Sequence, residues 1–282
     1  MRPTPARPLG PGSLLWRYAG DQRLGFVGLS AGLLQLMHPA IGAGVAQHSD
    51  FFNDPWLRIG RSLPEILGVV YDPDPEATGR RVSARHRPIN GVDQLGRPYR
   101  ALEPATFWWA HATFQWSVDQ LVERFSTRRL DTAEQEELYL DGVEWYRRYG
   151  VSMAPVPPDR AGFARAWDRT VDEVLELTPA ADRAVDMALH STLPLPAAFP
   201  LWARLLDRPL VVPVLRLCTL GGLPGRLRQR LGIPWTADEE LRYRAFQGAV
   251  RAVWSRLGEA RTRHPRALAG EAARRDRLAA TG

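Results

Sequence analysis

Residues 104–125 read PATFWWAHATFQWSVDQLVERF. Phe107, His111, Phe114, Val118, Leu121 and Phe125 recur three or four positions apart, which gathers them on one face of a helix. Pro104 directly after Glu103 opens that helix, because its missing N–H costs nothing at the first helical position. A single imidazole thus sits inside an apolar stripe, with Trp108 and Trp109 beside it. Two readings follow. His111 is either a core histidine bonded to a carbonyl or the axial ligand of a large apolar iron cofactor such as haem.

The helical period extends in both directions. Upstream, Gln22 to Met37 reads as a buried helix that stops at His38-Pro39, since proline disfavours the helical conformation in the residue before it. Ile41 to His48 continues beyond the break. Asp54-Pro55 opens a helix toward Val70, with Asp as N-cap and a kink expected at Pro64. Residues 72–102 hold Pro73, Pro75, Gly79, Pro88, Gly91, Gly96 and Pro98 and read as a long structured loop or a short hairpin. Downstream, Asp131-Thr132-Ala133-Glu134 resembles a capping box before a helix to Tyr149. Pro157-Pro158-Asp159 starts a helix toward Leu177, and Pro179 to His190 gives a short one. Residues 192–213 are apolar and broken by prolines, and Thr236 with Glu239 caps a last long helix to Leu257. No repeat or sustained strand alternation is present. The expectation is an all-α chain: a flexible arm over 1–13, one helical domain over 14–257 and a basic tail over 258–282.

Composition narrows the function. The 282 residues are 45% hydrophobic and include ten Trp, nine Phe and seven Tyr, too much aromatic mass for a disordered chain. The single cysteine, Cys218, excludes a disulfide scaffold, a Cys-rich zinc site and an iron–sulfur cluster built within one chain. The formal net charge is +6, yet all 37 basic residues are arginine. A lysine-free chain points to codon bias rather than to a surface made for phosphates, so no nucleic-acid partner is expected. Leu24 to Ala46 lacks charge over 23 residues, enough to span a membrane. Gln35, His38, Pro39 and five glycines dilute it, which suits a buried core helix better than lipid. Without a secretory signal pattern, the expectation is cytoplasmic, with no stable membrane insertion; a homodimer stays open.

Other residues suited to chemistry are few. Arg58 and Ser62 share a helix face, bordering the apolar side of Trp56, Ile59, Leu63 and Ile66. They form either a solvated flank or an arginine and a hydroxyl that hold a carboxylate, a haem propionate or bound dioxygen. His38 either caps a broken helix end or points into a cavity. No E-x-x-H pair occurs, which argues against a carboxylate-bridged di-iron bundle. G-x-S-x-G, G-x-G-x-x-G and the phosphate-binding loop are missing as well.

Taken in order, these segments resemble the haem-b oxygenase family whose catalytic domain is shared by bacterial rubber oxygenases (latex-clearing proteins) and the fungal mycophenolic acid pathway oxygenase. The matching residues begin with Leu33-Leu34-Gln35-Leu36-Met37-His38-Pro39-Ala40 and Gly44 to Ser49. They continue with Phe52-Asn53-Asp54-Pro55, Arg58, Arg61-Ser62, His86 with Gly91, and Gly96-Arg97-Pro98-Tyr99-Arg100-Ala101. Trp109-Ala110-His111-Ala112-Thr113 closes the strong set. A weaker match runs through Glu123-Arg124-Phe125 and Tyr139 to Leu231-Gly232-Ile233-Pro234-Trp235.

The resemblance implies a globin-like helical core around haem b. By this matching His111 takes the place of the iron-ligating histidine. Arg58 and Ser62 take the places of an arginine and a threonine near the haem. Serine is a departure that keeps the hydroxyl, and Pro64 is a second departure. His38 joins Arg58 and Ser62 as a candidate catalytic residue. Arg61, His48, His86, Phe107 and Phe114 join the candidate haem-binding set. The implied activity is haem-dependent oxidation of an apolar or natural-product small molecule with O2 or peroxide; the alternative is a non-catalytic haem- or lipid-binding protein. The rubber enzymes' export signal has no counterpart, so polyisoprene is not the expected substrate.

Overall fold

The structure, a computed structural model, describes residues 9–190 and 211–281. The proline-broken segment expected over 192–213 therefore lies almost wholly outside the described residues. The chain is one predominantly helical domain with one small hairpin. Its elements are α1 (Leu14–Ala19), α2 (Leu24–Leu36), α3 (Pro39–His48), α4 (Pro55–Tyr71) and α5 (Pro75–His86). Strands β1 (Asn90–Val92) and β2 (Pro98–Arg100) follow, then α6 (Pro104–Gln120), which ends in a π-helical turn over Leu121–Phe125. Next come α7 (Thr132–Arg147), α8 (Arg160–Arg169) with a π-helical turn at Thr170–Val174, and α9 (Pro179–His190). The last are α10 (Val212–Gly221), α11 (Gly225–Arg230), α12 (Ala237–Trp254), α13 (Glu259–Thr262) and α14 (Pro265–Thr281).

Helix α2 is the centre of the packing. Val27, Ala31, Leu33, Leu34 and Leu36 are buried against α6, α10 and α9. Polar groups pin the same crossing: the Trp109 indole donates to the Leu34 carbonyl at 3.2 Å, and the Gln35 amide donates to Thr113 Oγ1 at 2.7 Å. The expected break at His38-Pro39 is a bend of 98° between α2 and α3. It is closed by Thr178, whose hydroxyl donates to the Leu36 carbonyl at 2.7 Å, and by the Glu176 N–H on the Met37 carbonyl at 3.0 Å. Gly42 is required here, because a Cβ would lie 2.5 Å from the Leu36 carbonyl oxygen. Among the described residues no single helix is long and apolar enough to cross a membrane.

Caps set the remaining helices. Asp54, Asp131, Asp159 and Thr236 each accept a backbone N–H at an N-terminus, and the boxes at Asp131/Glu134 and Thr236/Glu239 are both formed. Asp74 does the same for α5, which the sequence reading left inside a loop. That helix carries few apolar residues, so a cap and its packing against α4 make it rather than amphipathic spacing. The β1–β2 hairpin docks on α3 through Gln47, which donates to the Val92 carbonyl and accepts from the Tyr99 hydroxyl.

Residues 9–13 and 258–281 both pack against the helical domain. Leu9 is buried, and the Ser13 hydroxyl caps α1. Residues 258–281 fold onto the start of the domain. Gln22 bonds the carbonyls of Thr262 and Arg263, and the His264 N–H donates to the Gly20 carbonyl at 2.7 Å. Arg263 donates to the Trp16 and Arg17 carbonyls and pairs with Glu271, while Arg266 clasps both oxygens of Asp72 at 2.7 and 2.6 Å.

Candidate functional site

Helices α4 and α5 form a tight helical hairpin joined by Asp72 to Asp74. His86 is eleven residues past Pro75, so it returns to the level of Gly60, eleven residues before Tyr71. This places His86 beside Arg58 and Ser62. The Arg58 guanidinium reaches both Ser62 Oγ and Ser49 Oγ, the latter at 3.2 Å, and Ser62 donates back to the Arg58 carbonyl at 2.9 Å. Burial, and Arg61 after it, lowers the Arg58 pKa from its ordinary value.

The N-terminal half of α4 is unusual for an amphipathic helix. Its apolar positions are not packed away: Leu57 is 48% exposed, Ile59 36% and Leu63 38%. Arg58 and Ser62 share one face of this exposed stretch, Ile59 and Leu63 form the adjoining apolar side, and Leu57 lies on the opposite side of the helix.

His86 sits at the edge of that face. Its Nδ1 bonds the Val82 carbonyl at 2.8 Å, one turn back on α5, and its ring meets Phe107 edge to face at 5.6 Å. The carbonyl contact makes Nδ1 the protonated nitrogen and leaves the Nε2 lone pair unspent. Burial lowers the His86 pKa, opposed by the Val82 bond and aided by the charges of Arg58 and Arg85. A neutral imidazole with a free Nε2 is the form that binds a metal.

His111 is placed differently. It is 2% exposed, and its Nε2 bonds the Gly142 carbonyl of α7 at 2.9 Å. Four rings enclose it: Trp145 at 4.9 Å, Tyr146 at 5.1 Å, Trp108 at 5.6 Å and Tyr149 at 5.9 Å between centroids. Burial pushes its pKa down to about 3. The helix face inferred from residues 104–125 is real, and it delivers this imidazole to a carbonyl and an aromatic cage.

The other candidates scatter. His38 is the N-cap of α3, with Nδ1 buried and unbonded; burial lowers its pKa to about 4, against the pull of Glu176 and with the push of Arg97. His48 Nε2 contacts the Asn90 carbonyl at 3.1 Å and helps to hold the hairpin. Arg61 is exposed on α4. Phe107 bridges His86 and the cage around His111, whereas Phe114 lies further along α6 against Trp145. The structure thus unites Arg58, Ser62, His86 and Phe107, and leaves His38, His48, His111 and Phe114 elsewhere. Ser49, which the sequence reading did not use, joins the group through Arg58.

Fold and geometry together define a helical domain with Arg58, Ser62 and His86 on one helical hairpin. The chain belongs to the family described as ER-bound oxygenase mpaB/B'/Rubber oxygenase, catalytic domain, which matches residues 16–252. It is an oxygenase-type enzyme by that membership. Two uncharacterized mycobacterial proteins, from Mycobacterium tuberculosis and Mycobacterium bovis, are each 22% identical to it over 227 residues. The alignments cover 78% of this chain and 84% of each relative. No solved structure matches the chain.

Proposed function

We propose that the protein is a haem b-dependent oxidoreductase that oxidises an apolar small molecule with O2 or peroxide, and that His86 holds the iron. The observation that carries this reading is the neutral His86 imidazole beside the Arg58–Ser62 pair and the open apolar face of α4. The residues fit the group. Val82 fixes the ring and its tautomer, as a carbonyl partner does for most metal-bound histidines, and leaves the second nitrogen for iron. His111 also has one nitrogen spent on a carbonyl and one without a partner, but its partnerless Nδ1 is fully buried and the rings of Trp108, Trp145, Tyr146 and Tyr149 occupy the space around the imidazole, so it fits less well.

When bound, the haem would supply the redox chemistry, a reaction no amino-acid side chain performs alone. The chain supplies binding and electrostatics. Arg58 offers a charged fork to a propionate or to an oxygen ligand, oriented from one side by Ser49 and from the other by Ser62. Ile59 and Leu63, one turn apart beside Arg58 and Ser62, offer an apolar surface that favours a substrate of like character.

The test compares two variants by absorbance. His86→Ala should fold but lose the sharp Soret band unless imidazole is added, and His111→Ala should keep that band in whatever fraction folds. A band retained in His86→Ala and lost in folded His111→Ala would reverse the assignment. A wild-type protein that takes up no haem would remove the cofactor altogether.

A further inference from the structure

We propose that the protein has a second binding site, for a small flat carboxylate, in the cleft where α1, the end of α4, the end of α7 and α14 meet. This cleft has a volume of about 310 Å³ and is lined by Leu9, Trp16, Val70, Pro73 and Pro75, with Asp72, Arg148, Arg274 and Arg277. Val70 lies twelve residues beyond Arg58, about 18 Å along the helix axis, so the cleft is distinct from the candidate oxygen site.

The donor inventory selects the ligand. Arg148 is buried and has five N–H groups, of which four are spent: on the Val69, Val70 and Leu9 carbonyls and on Glu144. One Nη2 donor is left over. The Trp16 indole N–H is buried and finds no acceptor. Arg274 lies over the Trp16 ring at 6.0 Å, and no acid among the described residues pairs with it. The one carboxylate in the lining, Asp72, gives both oxygens to Arg266 and accepts the Thr78 hydroxyl at 2.7 Å. Arg277 donates to the Pro73 carbonyl, so among the described residues the donors left over in the cleft are one Arg148 Nη2 hydrogen, the Trp16 indole N–H and the Arg274 guanidinium.

An unpaired donor buried in a protein is costly, and a carboxylate supplies the missing acceptors in the geometry an arginine fork prefers. The remaining walls are the Trp16 face, two prolines, Val70 and Leu9, which suit a flat apolar body. At 310 Å³ the space is at the small end of ligand pockets, sized for a monocyclic acid. Recognition therefore has two parts, an anionic head at Arg274 and a ring against Trp16.

Calorimetric titration of the full chain tests this with three probes: benzoate, benzyl alcohol and inorganic phosphate. Benzoate should bind saturably, at least tenfold tighter than either of the others. Arg274→Gln should weaken benzoate binding at least tenfold, while Arg165→Gln, an exposed arginine on α8, and Arg58→Ala should leave it unchanged. Equal binding of phosphate would overturn the role of the apolar walls. Benzoate binding that survives Arg274→Gln, or its absence in the wild-type chain, would overturn the site.

Discussion

His86 and Phe107 meet edge to face, with ring centroids 5.6 Å apart and planes at 88°. On its other side Phe107 touches Tyr149 at 5.4 Å and Tyr146 at 6.1 Å, and those two rings enclose His111. One phenyl ring therefore separates the histidine that faces α4 from the histidine locked in the core. Phe107→Ala should cost about 3–5 kcal/mol of stability through the cavity it leaves. It should also loosen His86, so haem should dissociate faster in the folded fraction. Urea unfolding and haem transfer to apomyoglobin measure the two effects separately.

Acid should destabilise the fold through its buried imidazoles. Burial holds His111 near 3 and His38 near 4, below the ordinary 6.5. Between 6.5 and those values the unfolded chain takes up protons that the folded chain refuses, so stability is lost as pH falls. Each group contributes a slope of up to about 1.4 kcal/mol per pH unit in its window. The urea midpoint should fall from pH 7 to pH 4, and less steeply in His111→Phe. An identical slope in that variant would show that His111 is not the group responsible.

Arg58→Ala should affect chemistry more than folding. The side chain is only partly covered and still reaches solvent, and its partners are two serine hydroxyls that water can satisfy. A thermal midpoint within about 2 °C of wild type is expected, since such surface changes stay near 0.5 kcal/mol. Turnover per bound haem should fall roughly 10²-fold, as when one preorganised donor is removed from a site of developing charge. Unchanged turnover with poorer haem retention would place the guanidinium on a propionate instead.

The position of α5 rests on a close approach. A Cβ at Gly79 would lie 2.1 Å from the Arg148 carbonyl oxygen, which is backbone and cannot swing aside. Gly79→Ala should therefore push α5 from α7, cost at least about 1–3 kcal/mol, and displace His86 at the helix end. Guanidinium denaturation gives the energy; weakened haem uptake in the folded variant reports the displacement.

Much of this architecture was legible in the sequence because it is written in local rules. Prolines after Asp54, Glu103 and His38 start helices where steric rules put them, and the Asp131 and Thr236 boxes close as their spacing dictates. Helix α5 was hidden, since Pro75 and Gly79 read as loop residues and its face carries little hydrophobic signal. The pairing of Arg58 with Ser62 follows from i, i+4 spacing alone. The choice between His86 and His111 does not. An apolar stripe tells that an imidazole is buried, but only the hairpin between Tyr71 and Pro75 and the packing of α7 show what surrounds the nitrogen each histidine leaves unbonded.

The contacts that tie Gln22 to Thr262 and Arg263 join residues some 240 positions apart in the chain. During synthesis, residues 258–281 leave the ribosome after α1 to α12 have emerged. Until then the Gly20 carbonyl lacks the His264 N–H, and the carbonyls of Trp16 and Arg17 lack the guanidinium of Arg263. The nascent domain must hold α1 and the end of α4 half-covered until residues 258–281 arrive. Loop closure over such a separation is slow. A chaperone that shields Trp16 and Tyr71 during that interval would raise the yield of folded protein.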